Sequence, residues 1–384
     1  MLQSRRIYLP PLSLIGPGAL NDLGEELRSL PYKKVLFVTD KILVKLGLAQ
    51  KVIDIFNARN IEVVVFDDVQ PNPTVENVNN GLTILQNNSC DLIVTLGGGS
   101  PQDCGKAIGI LATNGGNIKD YEGINISKTR SLPIIAINTT AGTASEVTIN
   151  YVITDIEHQI KMVMVDKNCL VTIAVNDPLL MIGMPAALTA ATGMDALTHA
   201  IESYLSKGAF GWSDVLALEA IRLISESLEK AVKQGDDIES RSKMAWGQFI
   251  AGQSFSNAGL GFVHSMAHQL GGVYNLPHGV ANAVLLPHVE RFNIPSCAKK
   301  LRKVAEAMGV DVRDMSSLEG ANAAIEAIEK LSKAVGIPSG LKELGVTDEE
   351  FMKMAEHAIQ DVCTGGNPRE VTILDTIEIY HAAM

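Results

Sequence analysis

The sequence predicts an α/β half built on a parallel sheet, followed by an all-helical half. Three features carry that expectation. Short β-branched runs alternate with helical stretches through the first half. Gly-rich and Thr/Ser-rich turns follow two of those runs. From about Pro185 onward strand-like runs disappear and long helical patterns take over. At 384 residues the chain is long enough for two domains. The boundary is expected within Asp177–Pro185, dividing the chain into residues 1–181 and 182–384.

The strand candidates are Lys34–Thr39, Glu62–Phe66, Asp91–Leu96 and Pro133–Ile137. Each is short and largely apolar on both faces, which suits a strand covered by helices on both sides. Ile42–Asn57, Val75–Asn87 and Gln102–Ala112 lie between them with helical periodicity. Strands joined through helices pair in parallel. In the second half, Pro185–Leu205, Trp212–Val232, Asp237–Phe255, Gly320–Val335, Asp348–Asp361 and Glu370–Met384 read as helices. Pro338 after Gly336 closes one of them, and Thr347 opens another.

Composition narrows the function classes. Hydrophobic residues make up 46% and charged residues 20%, so a disordered chain is excluded. There are 43 acidic and 32 basic side chains, a formal net charge of −11 and a pI near 5.3. No Lys/Arg cluster offers a nucleic-acid face, and an anionic membrane leaflet would repel this surface. Small molecules and further copies of the chain are the expected partners. Cys90, Cys104, Cys169, Cys297 and Cys363 are odd in number and form no CxxC pair. That pattern fits a reducing cytoplasm better than a disulfide scaffold. Arg5-Arg6 could begin a leader, but Pro10, Pro11, Gly16 and Pro17 break the apolar run behind them.

Gly97-Gly98-Gly99-Ser100-Pro101 follows a strand and opens a helix. Ser100 reads as an N-cap, Pro101 as the first helical residue and Asp103 as the acid of the first turn. Free N–H groups at such a helix start suit a pyrophosphate, and a plain tight turn is the competing reading. Asp40 ends the first strand. It reads equally as a hydrogen-bond acceptor for ribose hydroxyls or as a cap for the segment from Lys41. Thr139 to Ser145 form a small-residue, hydroxyl-rich turn after another strand.

Four of the eight histidines, His264, His268, His278 and His288, fall in one short stretch. Asp195 and His199 are spaced i,i+4 on a strong helical pattern, so they share a face. His264 and His268 repeat the spacing on the next helix, and His278 sits in the turn Leu276-Pro277-His278-Gly279. One such histidine alone reads as an ordinary polar residue. Several imidazoles with a carboxylate from separate segments read as a divalent-cation site. No thiolate and no HExxH is present there, and the donor set does not rank Fe²⁺ above Zn²⁺.

Taken together, these segments resemble the iron-containing (group III) alcohol dehydrogenase family over nearly the whole length. The carriers are GGGSPQDCGK from Gly97, NTTAGTASEVT from Asn138 and NDPLLMIGMPAALTAATGMDALTHAIE from Asn176. HSMAHQLGGVYNLPHGVANAVLLPH from His264 and NPRE from Asn367 complete them. The likeness is strongest to the 1,3-propanediol and iron-dependent ethanol dehydrogenase branch. It implies an N-terminal dinucleotide-binding domain and a C-terminal metal and substrate domain. It implies that Asp195, His199, His264 and His278 hold Fe²⁺, with Zn²⁺ as the alternative ion. It places His268 between metal and nicotinamide, where it serves as the proton relay. It assigns the NAD contacts to Asp40, Asn72, Gly98, Gly99, Ser100, Asp103, Thr139, Thr140, Thr143, Ser145, Lys161 and Leu180. Glu202, one turn beyond His199, is a candidate to orient a ligand.

The implied reaction is reversible hydride transfer between a short primary alcohol or diol and NAD⁺, in a cytoplasmic homo-oligomer. Two departures from the family pattern stand out. Gly105 replaces the usual Ala, and Asp166–Leu170 lacks a common proline. The main rival is a dehydroquinate-synthase-like lyase that uses NAD transiently. It needs a basic pocket, whereas Ala251–Leu286 contains neither Lys nor Arg. A non-enzymatic assembly protein is the second rival.

Overall fold

A computed structural model describes residues 4–158 and 160–384. The chain divides into two compact units. One runs to Thr140 and resumes at Ala144–Ile182; the other comprises Ala141–Thr143 and Gly183–Met384.

The first unit carries strands β1 (Leu12–Ile15), β2 (Lys34–Val38), β3 (Glu62–Phe66), β4 (Leu92–Gly97) and β5 (Gly123–Ile124). It continues with β6 (Ile134–Asn138), β7 (Asn150–Asp155), β8 (Ile160–Val165) and β9 (Ile173–Asn176). Its helices are α1 (Ala19–Glu26), α2 (Lys41–Lys45), α3 (Leu48–Asn57), α4 (Val75–Asn88) and α5 (Gly99–Asn114). Six strands form one sheet in the order β1-β9-β6-β4-β2-β3, and every pairing in it is parallel. The winding reverses between β2 and β4. Open α/β sheets bind ligands beside such a reversal, at the carboxyl ends of the strands. Val35, Phe37, Leu92, Val94 and Ile137 meet Leu23, Val52 and Phe56 in the core.

The four predicted strands match β2, β3, β4 and β6 to within a residue or so. The predicted helix Ile42–Asn57 is instead two helices, α2 and α3. Gly47, at φ 76°, turns the chain between them. Strands β1 and β9 are too short to stand out in the sequence. The antiparallel hairpin β7–β8, with β5 beside it, forms a second small sheet.

The second unit is helical: α6 (Ala186–Leu205), α7 (Gly211–Lys233), α8 (Ile238–Ala258) and α9 (Phe262–Tyr274). After these come α10 (His278–Ala307), α11 (Ser317–Ala334), α12 (Phe351–Gln360) and α13 (Ile373–Ala382). Helix α6 is buried around nearly its whole girth from Thr189 to Leu205, as a central helix must be. Helix α10 went unread in the sequence because Pro287 and Pro295 lie inside it, and Cys297 kinks it with non-helical dihedrals. No helix among the described residues is long and apolar enough to cross a membrane.

The two departures from the family pattern have local explanations. A Cβ on Gly105 would lie 2.3 Å from Thr95 Cγ2, so glycine lets α5 settle on β4. Asp166 caps the turn Lys167–Cys169 by accepting from the Asn168 N–H, and no proline is needed to shape it.

Candidate functional site

The helical unit gathers four donors at one point. Asp195 and His199 project from α6, His264 from α9, and His278 begins α10. Their ligand atoms all lie within 4.8 Å of one another. Asp195 Oδ1 is 3.7 Å from His278 Nε2 and 4.0 Å from His264 Nε2. His278 is thus the first residue of a helix and not part of a turn. Its approach depends on Gly279, where a Cβ would fall 2.3 Å from the Ala191 carbonyl oxygen and 3.3 Å from Asp195 Cβ. His288, further along α10, stays outside the cluster.

The surroundings prepare the donors for a cation. Glu202 accepts from His264 Nδ1 at 2.5 Å and from the Val263 N–H at 2.6 Å. This fixes the tautomer that turns the Nε2 lone pair toward Asp195. The His199 ring stacks on Phe255 at 4.4 Å. Burial pushes both His199 and His264 down to about 4, so both rings are neutral at pH 7. Burial also pushes Glu202 up to about 7, against its bonds to the start of α9. Asn367 of the NPRE motif accepts from the Phe262 N–H and pairs with Asn293, fastening that same helix start.

The donor set fits a divalent ion on an observation of its own. His199 Nδ1 is buried, sits 4.0 Å from Asp195 Oδ2 and has no hydrogen-bond partner. A buried imidazole nitrogen without a partner is costly unless something else meets its lone pair. Three imidazoles and one carboxylate suit Fe²⁺ or Zn²⁺ alike.

Two further residues were missed in the sequence. Asp361, 93 residues away, accepts from His268 Nδ1 at 2.8 Å. The His268 ring then stacks on His278 at 5.4 Å, beside the cluster. Asn282 aims its amide nitrogen at three of the four donors. It lies one turn beyond His278 on α10, which was a readable signal; nothing in the sequence marked Asp361.

In the α/β unit, most of the proposed cofactor residues stand where parallel strands end. Asp40 follows β2, Gly98 to Ser100 follow β4, Thr139 and Thr140 follow β6, and Leu180 follows β9. The helix after β4 starts earlier than predicted. Gly98 is its N-cap and Gly99 its first residue, so Ser100 and Pro101 stand in the second and third positions. Asp40 is a helix cap: Oδ1 accepts from the Ile42 and Leu43 N–H groups. Lys161 on β8 donates to Asn72 Oδ1 at 2.9 Å, which brings those two candidates together.

Asp103 is bonded within the α/β unit. Its carboxylate accepts from Ser145 Oγ at 2.6 Å and from the Val152 N–H at 3.0 Å. Burial pushes its carboxyl up, while Lys106 opposes the shift. Asp103 and Ser145 are thereby tied to each other. Thr143 lies in the short stretch that groups with the helical unit.

Comparison with known proteins agrees over the whole chain. The iron-containing alcohol dehydrogenase family model matches residues 10–178, and the C-terminal model of the same family matches 189–384. The chain is 48% identical over 377 residues to 1,3-propanediol dehydrogenase from Klebsiella pneumoniae, covering 98% of this chain and 97% of that protein. It is also 48% identical over 382 residues to lactaldehyde reductase from Escherichia coli (strain K12), covering 99% and 100%. A crystal structure of 1,3-propanediol oxidoreductase superposes with a TM-score of 0.97 at 48% identity, covering both chains completely. The chain belongs to the iron-containing alcohol dehydrogenase family.

Proposed function

We propose that this chain is an NAD-dependent, iron-dependent dehydrogenase. It interconverts short primary alcohols or diols, such as 1,3-propanediol or ethanol, with their aldehydes. The observation that carries the reading is the convergence of Asp195, His199, His264 and His278, with His199 and His264 buried and neutral and His199 Nδ1 without a hydrogen-bond partner. The two 48%-identical relatives, whose names give 1,3-propanediol and lactaldehyde as substrates, support small oxygenated substrates. Residues 1–181 take the dinucleotide and residues 182–384 take metal and substrate.

When bound, the ion supplies Lewis-acid stabilisation of an alcohol oxygen, and the nicotinamide supplies the hydride acceptor. The chain supplies the rest. The N-terminus of α5 presents N–H groups to a pyrophosphate. Asp40 disfavours a 2′-phosphate by like charge, which selects NAD over NADP. Asp361 holds His268 Nδ1, so Nε2 is left to take the proton that leaves the alcohol. The buried free cysteines suit a cytoplasmic enzyme, and a homo-oligomer is the expected state.

The lyase reading requires basic side chains around the metal, and Ala251–Leu286 provides none. The deciding experiment strips the metal and reloads the protein anaerobically with Fe²⁺ or Zn²⁺. NADH formation from ethanol or 1,3-propanediol with Fe²⁺, and none in the stripped protein, is the expected result. Tight metal and NADH binding without turnover would reject the dehydrogenase reading. In the same assay His268→Ala keeps its metal and loses turnover by about 10²-fold or more, the usual share of a proton-transfer group.

A further inference from the structure

Lys106 is a fully buried lysine near the middle of α5. Its Nζ donates to the Ser145 carbonyl at 2.6 Å, the Asn150 carbonyl at 2.7 Å and the Thr148 carbonyl at 2.9 Å. The Thr148 hydroxyl oxygen lies 3.4 Å away. An amine needs three hydrogens to meet three carbonyls, so the group sits there as an ammonium. A buried charge ordinarily faces an opposite charge directly. Here all of these bonds go to backbone and hydroxyl oxygens of one loop, residues 145–150.

That loop needs an external brace. Beyond the single turn Ser145–Val147 it has no helix, and β7 begins only at Asn150. Ala144, just before it, holds φ at 52°, a left-handed conformation that costs a residue with a Cβ. The three carbonyls converge on one buried point, where without a cation their partial charges would repel one another and lack partners. Asp103, on the same face of α5, holds the Ser145 hydroxyl from its other side.

The braced loop connects to the proposed dinucleotide residues through bonds on the page. Glu146 lies between the held Ser145 and Thr148. Its Oε1 accepts from Asn176 Nδ2 at 2.7 Å, and Asn176 Oδ1 accepts from Asn138 Nδ2 at 2.9 Å. Asn138 grips Thr140 at both backbone groups: Nδ2 donates to its carbonyl at 2.7 Å and Oδ1 accepts from its N–H at 3.0 Å. Thr140 packs on Gly98, where a Cβ would fall 2.9 Å from Thr140 Cγ2. The chain of bonds thus runs from Lys106 to the point where the glycine turn after β4 meets the hydroxyl-bearing turn after β6.

We propose that Lys106 is a positioning residue for the dinucleotide: its ammonium fixes loop 145–150 and, through Glu146, Asn176 and Asn138, the place of Thr140 against Gly98. It acts through the loop and not by contact with the cofactor. The inference rests on the cofactor reading given above. A loop already ordered in the free protein spares the cofactor the cost of ordering it.

NADH binding, followed by nicotinamide fluorescence on protein reloaded anaerobically with Fe²⁺, tests it. Lys106→Met keeps the length of the side chain and removes the ammonium. Its Kd for NADH and KM for NAD are expected to rise about tenfold, the scale of ordering one or two side chains during binding. The kcat at saturating NAD is expected to hold, the pattern of lost ground-state binding. Bound iron is expected to hold as well, because its four candidate ligands lie in the other unit. Lys106→Gln still offers one donor to the carbonyls; it gives a smaller rise and serves if the Met variant does not fold. A lysine that only supports the fold would lower the melting temperature and leave both constants in place.

Unchanged Kd and KM in the natively folded variants would therefore overturn the assignment. So would a fall in kcat with KM unmoved. In both cases the dinucleotide reading itself would stand. Failure of the wild type to bind NADH would overturn that reading, and the role of Lys106 with it.

Discussion

Along the sheet of the α/β unit, residues reach the ligand edge because parallel strands all end there. Among the helices no such edge exists, and each side chain is aimed by its own neighbour. Glu202 turns His264, Phe255 stacks on His199, Asp361 holds His268, and the missing Cβ of Gly279 lets His278 come close. Topology places the proposed dinucleotide residues; pairwise packing places the metal-capable cluster. The helical site should therefore fail steeply when one side chain changes, while the sheet-edge site should respond by degrees.

The steepest loss is expected for Asp195→Ala. It removes the only carboxylate of the cluster and leaves three imidazoles. Metal content measured after reloading should fall to background, and activity with it. A variant that kept stoichiometric metal would show that the cluster is not the site.

Glu202→Gln should come next. The amide still fills the space but no longer draws the His264 Nδ1 proton with a full charge. Metal affinity is expected to drop by about 10- to 100-fold, measured by competition with a chelator. An unchanged affinity would make Glu202 a packing residue only.

On the sheet edge, Asp40→Gly should change the ratio of kcat/KM for NAD to that for NADP by about tenfold. That is on the order of 1–2 kcal/mol for removing a like-charge contact near water. The caps to Ile42 and Leu43 are lost too, so a parallel loss with both cofactors is expected. A ratio that does not move would assign Asp40 to capping alone.

The smallest effect concerns stability and not chemistry. Lys119 hydrogen-bonds Asp155 at 2.7 Å and, with His158, draws its carboxyl down to about 2 against the cost of burial. A lowered carboxyl stabilises the fold above its unfolded value of 3.8 and loses that effect as pH falls toward 2. Asp155→Asn should melt earlier than the wild type at pH 7. The gap should close between about pH 4 and pH 2. A gap that persists below pH 2 would point to a cause other than the charge.

Legibility in the sequence follows the same division. The strands β2, β3, β4 and β6 are continuous apolar runs because helices cover both faces, so they were readable. The glycine turn after β4 was readable as well. Its helix start was off by two residues, because Ser100 and Pro101 also fit first-turn positions. The i,i+4 pairs on α6 and α9 showed a shared face but not what the face met. Asp361 was invisible, since a lone carboxylate 93 residues from His268 carries no local pattern. Asn282 was visible only as part of a motif. Its role depends on three acceptors brought together by tertiary packing. The hairpin β7–β8 was missed because residues 156–159, which join its strands, carry no Gly, Pro, Asn or Asp turn signal.

Anomalous diffraction at the iron edge, from crystals of anaerobically reloaded protein, would test the placement of the metal most directly. A single peak enclosed by Asp195, His199, His264 and His278 is the expected result. A peak at His268, Asp361 and Cys363, the other buried group of metal-capable residues in the helical unit, would contradict it. So would an absence of bound iron in protein that oxidises alcohols.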